Sequence, residues 1–163
     1  MKTKNVGEFV VGKVNLQEWL AQKKVQESIK EKIKEIESYD IQVYHEDFSS
    51  AEVTSAIANK IESYDSTILS TEKDGDDTVI EFSVDIEYEL EISAEELDAD
   101  STPYDSETKD YAWETYETNT YTSTLSLPTT VCATITDNEN YRITYVQVNN
   151  GESITDYKKP SDL

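Results

Sequence analysis

Apolar and polar residues alternate without a break over residues 78–93. One phase holds only apolar and aromatic side chains, which are Ile80, Phe82, Val84, Ile86, Tyr88, Leu90 and Ile92. A period of two is typical of a strand that buries one face. The pattern therefore predicts a long half-buried strand whose other face carries acidic side chains.

Two segments have the spacing of helices. Asn15 is a candidate N-cap with Glu18 three residues later, and the apolar stripe that follows is Val25, Ile29, Ile33 and Ile36. This predicts a helix from Asn15 to about Ser38. Residues 49–52, Ser-Ser-Ala-Glu, form a capping-box pattern ahead of a second stripe, Val53, Ala56, Ile57 and Ile61. This predicts a second helix that ends near Tyr64.

The rest of the chain is predicted to form short strands and turns. We expect strands over 39–44, 66–73, 111–127 (stopped by Pro128), 131–135 and 141–145, with turns at 74–77 and 137–140 and a polar loop over about 94–110. The fold class is α+β, with two N-terminal helices packed on a mainly antiparallel β-meander that has one strongly acidic face. We expect residues 1–47 to form a helix and a short strand. Residues 48–148 are predicted to form a helix and the sheet, in the same compact domain, and residues 149–163 a frayed polar tail.

Charge is distributed unevenly along the 163 residues. The formal net charge is −21, and residues 1–38 hold eight Lys and six Glu, whereas residues 74–117 hold 17 acidic residues and one Lys. A charge of this sign repels phosphate backbones and anionic lipid surfaces. We therefore expect a basic protein surface as the partner, with no direct nucleic-acid binding.

Composition also excludes several classes of protein. No apolar run approaches the roughly 18 residues of a membrane span, and no apolar segment follows the basic start as in a signal peptide. We expect a cytoplasmic protein that is a monomer or a homodimer. Cys132 and His45 are the only residues of their types, so an internal disulfide and a Cys/His zinc site are excluded.

Candidate chemistry gives no sign of an enzyme. With 35 acidic residues, pairs of carboxylates at catalytic distance arise by chance. Cys132 lies between Val131 and Ala133, where a buried thiol is inert, and we expect His45 to be an ordinary surface histidine or a pH-sensitive group. Acidic turns near Asp76 and Asp98 do not match a calcium loop and favour adventitious cation binding. The sequence predicts no catalytic residue, no metal site and no cofactor.

The acidic face of residues 78–93 is the sharpest functional signal. Alternate residues of a strand lie about 6.6 Å apart, so the face forms a rigid line of charge. The predicted partner-binding residues are this line and acidic residues near it, namely Glu81, Asp85, Glu87, Glu89, Glu91, Glu95, Glu96, Asp98, Glu114 and Glu117. The alternative is that the face only confers solubility.

From residue 48 onward the order of features resembles the acidic β-rich module at the C-terminus of some bacterial proteins whose N-terminal part is a PIN-like ribonuclease domain. The matching stretches are FSSAEVTSAIAN at 48–59, residues 76–92, the loop at 104–107 and the aromatic strand after it. Residues 1–47 are too short for the nuclease domain, so no active-site residue is carried over. The resemblance implies a regulatory or partner-binding role beside nucleic-acid enzymes.

These features favour a non-enzymatic inhibitor that occupies the basic channel of a nucleic-acid-processing enzyme. DNA-mimic restriction inhibitors and some anti-CRISPR proteins of phages and mobile elements are similar in size and charge. The alternative is a regulatory or immunity-type module that docks on a PIN-like nuclease or another cytoplasmic partner through the aromatic strand.

Overall fold

A computed structural model describes residues 4–5, 10–11, 14–97, 104–105, 110–111, 115–137 and 139–160, with side chains for 17–97, 115–137 and 139–160. The strands are β1 (Lys4–Asn5), β2 (Val10–Val11), β3 (Val14–Asn15), β4 (Phe48–Asp74), β5 (Asp77–Leu97), β6 (Tyr104–Asp105), β7 (Asp110–Tyr111), β8 (Tyr116–Ile135) and β9 (Tyr141–Val148). The helices are α1 (Leu16–Ala21) and α2 (Lys23–Lys34), and a 3-10 turn follows at Asn149–Gly151.

An antiparallel sheet in the order β1-β4-β5-β8-β9 forms most of the molecule. β2 pairs with β3, and β6 pairs with β7. A tight turn at Gly75 and Asp76 joins β4 to β5, with Asp74 opposite Asp77 and a positive φ of 64° at Gly75. The α+β class is confirmed.

The predicted strand over 78–93 is confirmed, and β5 extends beyond it to Leu97. Phe82, Val84, Ile86 and Leu90 are buried, as the alternation requires, whereas Glu89 is exposed and Glu87 half-buried. The Tyr88 hydroxyl lies 2.6 Å from the Thr129 hydroxyl inside the core, so these two buried hydroxyl groups satisfy each other.

The core lies between the inner face of the sheet and the helices. Val25, Ile29 and Ile33 of α2 are buried in one cluster with the inner residues of β5, and α2 contacts β4 and β9. Trp19 of α1 packs edge-on against Phe82. The predicted first helix is thus present in two pieces, broken at Gln22 and ended at Lys34.

The predicted second helix is wrong, because residues 49–64 belong to strand β4. Val53, Ala56 and Ile61 do share a buried face, opposite Ile92, Leu90 and Ile86 of β5. Register shifts between Val53 and Ser55 and between Ala58 and Lys60 each add a residue to the strand. A bulged strand therefore places its inward residues three apart, as a helix would.

Three further features of the strands differ from the sequence-based expectations. β8 runs through Pro128, which pairs with Asp85 one residue beyond the Thr129–Val148 pair where β9 ends. A missing N–H costs little where the neighbouring strand has ended. The expected strand at 39–44 consists of isolated bridges at Gln42 and Val43. Alternation in the expected strand 141–145 would put Ile143 and Tyr145 on one face, but a register shift leaves Tyr145 exposed while Ile143 is buried.

The expected frayed tail is also wrong over residues 152–160, which we call the C-terminal strap. Ile154 and Tyr157 are buried, and Ile154 exchanges backbone hydrogen bonds with the segment before β4. The Tyr157 hydroxyl lies 2.8 Å from the Ser123 hydroxyl of β8. Two buried apolar side chains in a polar sequence, together with these hydrogen bonds, thus anchor the segment on the sheet.

Candidate partner-binding surface

Six of the predicted site residues lie in one line along β5. They project from the face of the sheet opposite the core, which we call the outer face, because they alternate with the buried residues of the same strand. We call this set the acidic column: Glu81, Asp85, Glu87, Glu89, Glu91 and Glu95. Since β5 pairs with β4 and with β8 over almost its full length, the column is held in the middle of the sheet.

The carboxylates of the acidic column form no ion pair with any Lys or Arg of the described residues. Their partners within the described chain are neutral: Thr54 donates to Glu91 at 3.2 Å and Ser50 to Glu95 at 3.5 Å. The column therefore keeps its negative charge without internal neutralisation.

The strands on either side of the column are far less acidic. On β8 the residues opposite the column are mostly hydroxyl side chains, and we call the exposed ones the hydroxyl row: Thr118, Thr120, Thr122, Thr124 and Ser126. On β4 the opposite residues include Lys60 and Ile57, and also Glu52, Glu62 and Glu72, which lie opposite Ser93, Asp85 and Val79. β8 therefore adds no carboxylate opposite the acidic column.

Acidic side chains crowd together where β4 bulges between Glu62 and Ser66. Burial raises the pKa of Asp85, and the charges of Asp65 and Glu62 raise it further. The pKa of Tyr64 is also raised, first by its hydrogen bond with Glu62. Lys60 pairs with Glu62 at 3.6 Å, but no Lys or Arg of the described residues pairs with Asp65 or Asp85, so repulsion remains at this end of the column.

Glu96 and Glu117 do not belong to the acidic column. They lie opposite each other in the β5–β8 register, on the face that bears Ala94 and Ile92. Lys159 of the C-terminal strap is 3.2 Å from Glu96 and 3.0 Å from Asp47, and its side chain is only 13% exposed. Glu96 therefore holds the strap instead of facing a partner. Asp98 and Glu114 lie outside the described residues.

Sequence reasoning missed the apolar side chains of the outer face. Ile57, opposite Glu89, is 52% exposed, and Tyr64, beside Asp85, is 62% exposed. Tyr145 is 48% exposed and lies in one row with Cys132 and Glu81. Leu97 and Tyr116, which pair with each other at the far end, are exposed as well. Only the bulges and the register of the sheet bring these side chains to one face.

A group of titratable side chains surrounds Lys159. Hydrogen bonding to Asp47 and Glu96 raises the pKa of Lys159 despite its burial. Burial alone would raise the pKa of Glu96, but hydrogen bonds from Tyr121, Asn119 and Lys159 outweigh it and lower the pKa. The Glu96 hydrogen bond raises the pKa of Tyr121. Each group is held in its usual charge state at neutral pH, which suits a structural clasp better than proton transfer.

His45 belongs to the same region and is not the surface histidine that the sequence suggested. Its side chain is 8% exposed and packs on the rings of Phe48 and Tyr157. Its Nδ1 accepts a hydrogen bond from the backbone N–H of Asp47 at 3.1 Å. The imidazole thus forms part of the packing beneath the strap.

Cys132 faces outward on β8 and not into the core. Its thiol lies 3.6 Å from a carboxylate oxygen of Glu81, and burial followed by the Glu81 charge raises its pKa. A thiol with a raised pKa is a poor nucleophile. Within the part of the chain that the structure describes, no three His, Cys, Asp or Glu side chains are arranged to hold a metal ion.

No helix among the described residues is long and apolar enough to cross a membrane. Comparison with known proteins finds no protein-family model, no curated protein and no solved structure that matches the chain.

Proposed function

We propose that this protein is a non-enzymatic acidic binding protein whose outer face occupies the basic nucleic-acid-binding surface of another protein. In this proposal it acts as an inhibitor of the kind that phages and mobile elements direct at nucleic-acid enzymes. The observation that carries the proposal is the acidic column, six carboxylates fixed on a central strand with neutral internal partners.

The absence of internal neutralisation supports binding over simple solubility. Like charges alongside one another destabilise a sheet, and a solubilising surface commonly mixes both signs of charge. Lys60 lies opposite Glu87, yet its ion pair, at 3.6 Å, is with Glu62. A basic partner would relieve the repulsion along the column and gain a fast, electrostatically steered association.

The second candidate, a module that docks through the aromatic strand, has less support. Tyr121 packs against Phe48 on the inner face, at 5.8 Å between ring centroids, and donates a hydrogen bond to Glu96. It is therefore engaged within the fold. Trp113 and the side chain of Tyr111 lie outside the described residues.

The test is displacement of labelled nucleic acid from a panel of purified nucleic-acid-binding proteins. The critical variant, which we call the five-amide variant, carries Glu81→Gln, Asp85→Asn, Glu87→Gln, Glu89→Gln and Glu91→Gln. The control removes the same number of charges elsewhere, with Glu31→Gln, Glu37→Gln, Glu46→Gln, Glu152→Gln and Asp156→Asn. Circular dichroism establishes that both variants remain folded.

We expect the parent and the control to displace nucleic acid from at least one panel member, and the critical variant to be at least tenfold weaker, on the order expected when several desolvated or steering charges are lost. Displacement should weaken steeply between about 50 and 500 mM salt because the Debye length shortens. Equal potency of the critical variant and the parent, or displacement from no panel member, would contradict the proposal.

A further inference from the structure

We infer that the basic surface that fits the outer face is one that takes single-stranded nucleic acid, not a duplex-binding channel. This inference rests on the proposed function and names the class of its target. It follows from how charge and apolar side chains are arranged on the outer face.

Negative charge on the outer face is concentrated in the acidic column, because β4 adds only the widely spaced Glu52, Glu62 (with Asp65 in the bulge beside it) and Glu72, and β8 adds none opposite the column. Along β5 the carboxylates are spaced about 6.7 Å apart at best, with interruptions at Ser83 and Ser93, whereas a duplex carries a charge about every 1.7 Å in two backbones. A duplex-binding channel has cations for both backbones. On the β8 side its second line of cations would meet the uncharged hydroxyl row, and on the β4 side it would meet Lys60 and carboxylates only at widely spaced positions. Cations desolvated without partners would oppose binding.

Apolar side chains flank this line on the same face. Ile57, Tyr64 and Tyr145 are each about half exposed or more. The register places Ile57 and Tyr64 beside Glu89 and Asp85, and Tyr145 in the row of Glu81 on the far side of Cys132. Sites for single strands combine a basic groove that tracks the backbone with aromatic surfaces on which bases stack. The acidic column would occupy the basic groove in place of the nucleic-acid backbone. The apolar side chains would contact the aromatic surfaces in place of the bases.

The dimensions of the outer face fit such a site. From Glu81 to Glu95 the column is about 47 Å long, and three strands give a width on the order of 10–14 Å. The product is on the order of 600 Å², near the ~800 Å² that each partner buries in a standard interface. Apolar residues at both ends, Tyr145 at one and Leu97 with Tyr116 at the other, border this area.

The experiment uses two groups of purified basic proteins matched in net charge: single-strand-binding proteins of the OB-fold type and helix-turn-helix proteins that bind duplex DNA. Each is loaded with its labelled nucleic acid, and the concentration of this protein that displaces half of the label is measured. We expect displacement from the single-strand group at concentrations at least tenfold lower than from the duplex group.

A second variant tests the apolar contribution directly. Ile57→Ser, Tyr64→Ser and Tyr145→Ser together should weaken displacement from the single-strand group at least tenfold while leaving its salt dependence unchanged. Tyr44→Ser is the control, because Tyr44 is 57% exposed but precedes β4.

The outcomes separate this inference from the proposed function. Equal displacement from both groups, a preference for the duplex group, or full potency of the triple-Ser variant overturns the inference, while the proposed function stands if the five-amide variant is still weakened. Full potency of the five-amide variant overturns the proposed function itself.

Discussion

Asp85 is the residue at which the acidic column is most strained electrostatically. It lies directly opposite Glu62 and near Asp65, and its pKa is raised by burial and by these charges. The folded carboxyl therefore holds its proton at pH values where the unfolded one has lost it. Stability should fall as pH rises from the ordinary range of Asp through the raised pKa.

Replacement of Asp85 by Asn should therefore stabilise the fold at pH 7. We expect a gain of about 0.5 kcal/mol, within the range of cross-strand pair energies, and a loss of that part of the pH dependence. Urea unfolding between pH 3 and 8 measures both. Asp156→Asn is the control, because the Asp156 side chain is exposed, and it should change neither the stability nor its pH dependence. A destabilised Asp85→Asn variant would contradict this account.

At the scale of elements, the C-terminal strap depends on one cation. Lys159 lies between Asp47 and Glu96 and over the rings of Phe48 and Tyr121, at 5.9 and 5.8 Å from their centroids. Lys159→Met keeps the length of the side chain and leaves the largely buried Glu96 without its cation.

We expect Lys159→Met to lower the free energy of unfolding by about 2 kcal/mol, as for other hydrogen-bonded charges that lose a partner at a largely buried site. Lys158→Met, the exposed neighbour, should cost less than about 0.5 kcal/mol. Chemical denaturation gives both values, and amide exchange should locate the loss at residues 152–160. Equal stability of the two variants would rule out the clasp.

The β4–β5 turn depends on its glycine. Gly75 has a φ of 64°, and a Cβ built there would touch nothing within 4 Å, so the cost of a side chain lies in the backbone alone. Gly75→Ala should destabilise the protein by about 1–2 kcal/mol, and Gly75→Asn by less, because Asn accepts a left-handed conformation more readily. Thermal unfolding of the two variants distinguishes backbone strain from a packing defect. A packing defect would make Gly75→Asn less stable than Gly75→Ala, because Asn is larger.

At the scale of the whole molecule, the net charge of −21 opposes folding at low salt. Since the acidic column has no internal cations, the melting temperature should rise between about 20 and 500 mM NaCl as repulsion is screened. The five-amide variant should show a smaller rise than the control with five charges removed elsewhere. A melting temperature that is independent of salt, or equal rises, would mean that the column adds no repulsion.

The sequence could predict those parts of the fold where the spacing of apolar residues agrees with the conformation that the backbone adopts. β5 has an unbroken period of two, and the turn at Gly75 has the residues that such turns require, so both were predictable. β4 was not, because its bulges shift Val53, Ala56 and Ile61 into helical spacing. A single sequence does not report where a strand bulges, since a bulge depends on the pairing partner.

The same reason limits prediction of the site. The acidic column follows from alternation within one strand, so it could be read from the sequence. Whether Glu96 faces a partner or Lys159 depends on a strap that is distant in sequence. The exposure of Ile57 depends on the two bulges of β4 on either side of it. The position of Tyr145 in the row of Cys132 and Glu81 depends on the register shift between β8 and β9. Side chains placed by long-range register are the ones that sequence patterns miss.

The tight turn at Gly75 also has a consequence for the order of folding. Asp74 and Asp77 are separated only by the two turn residues, whereas Phe48 and Glu96 are separated by nearly all of both strands. The entropic cost of loop closure is smallest near the turn, so strand pairing should spread from there. Glu81 should therefore reach its place in the sheet before Glu95. Electrostatic repulsion then accumulates as the hairpin closes, which makes the late steps of folding the ones that added salt accelerates.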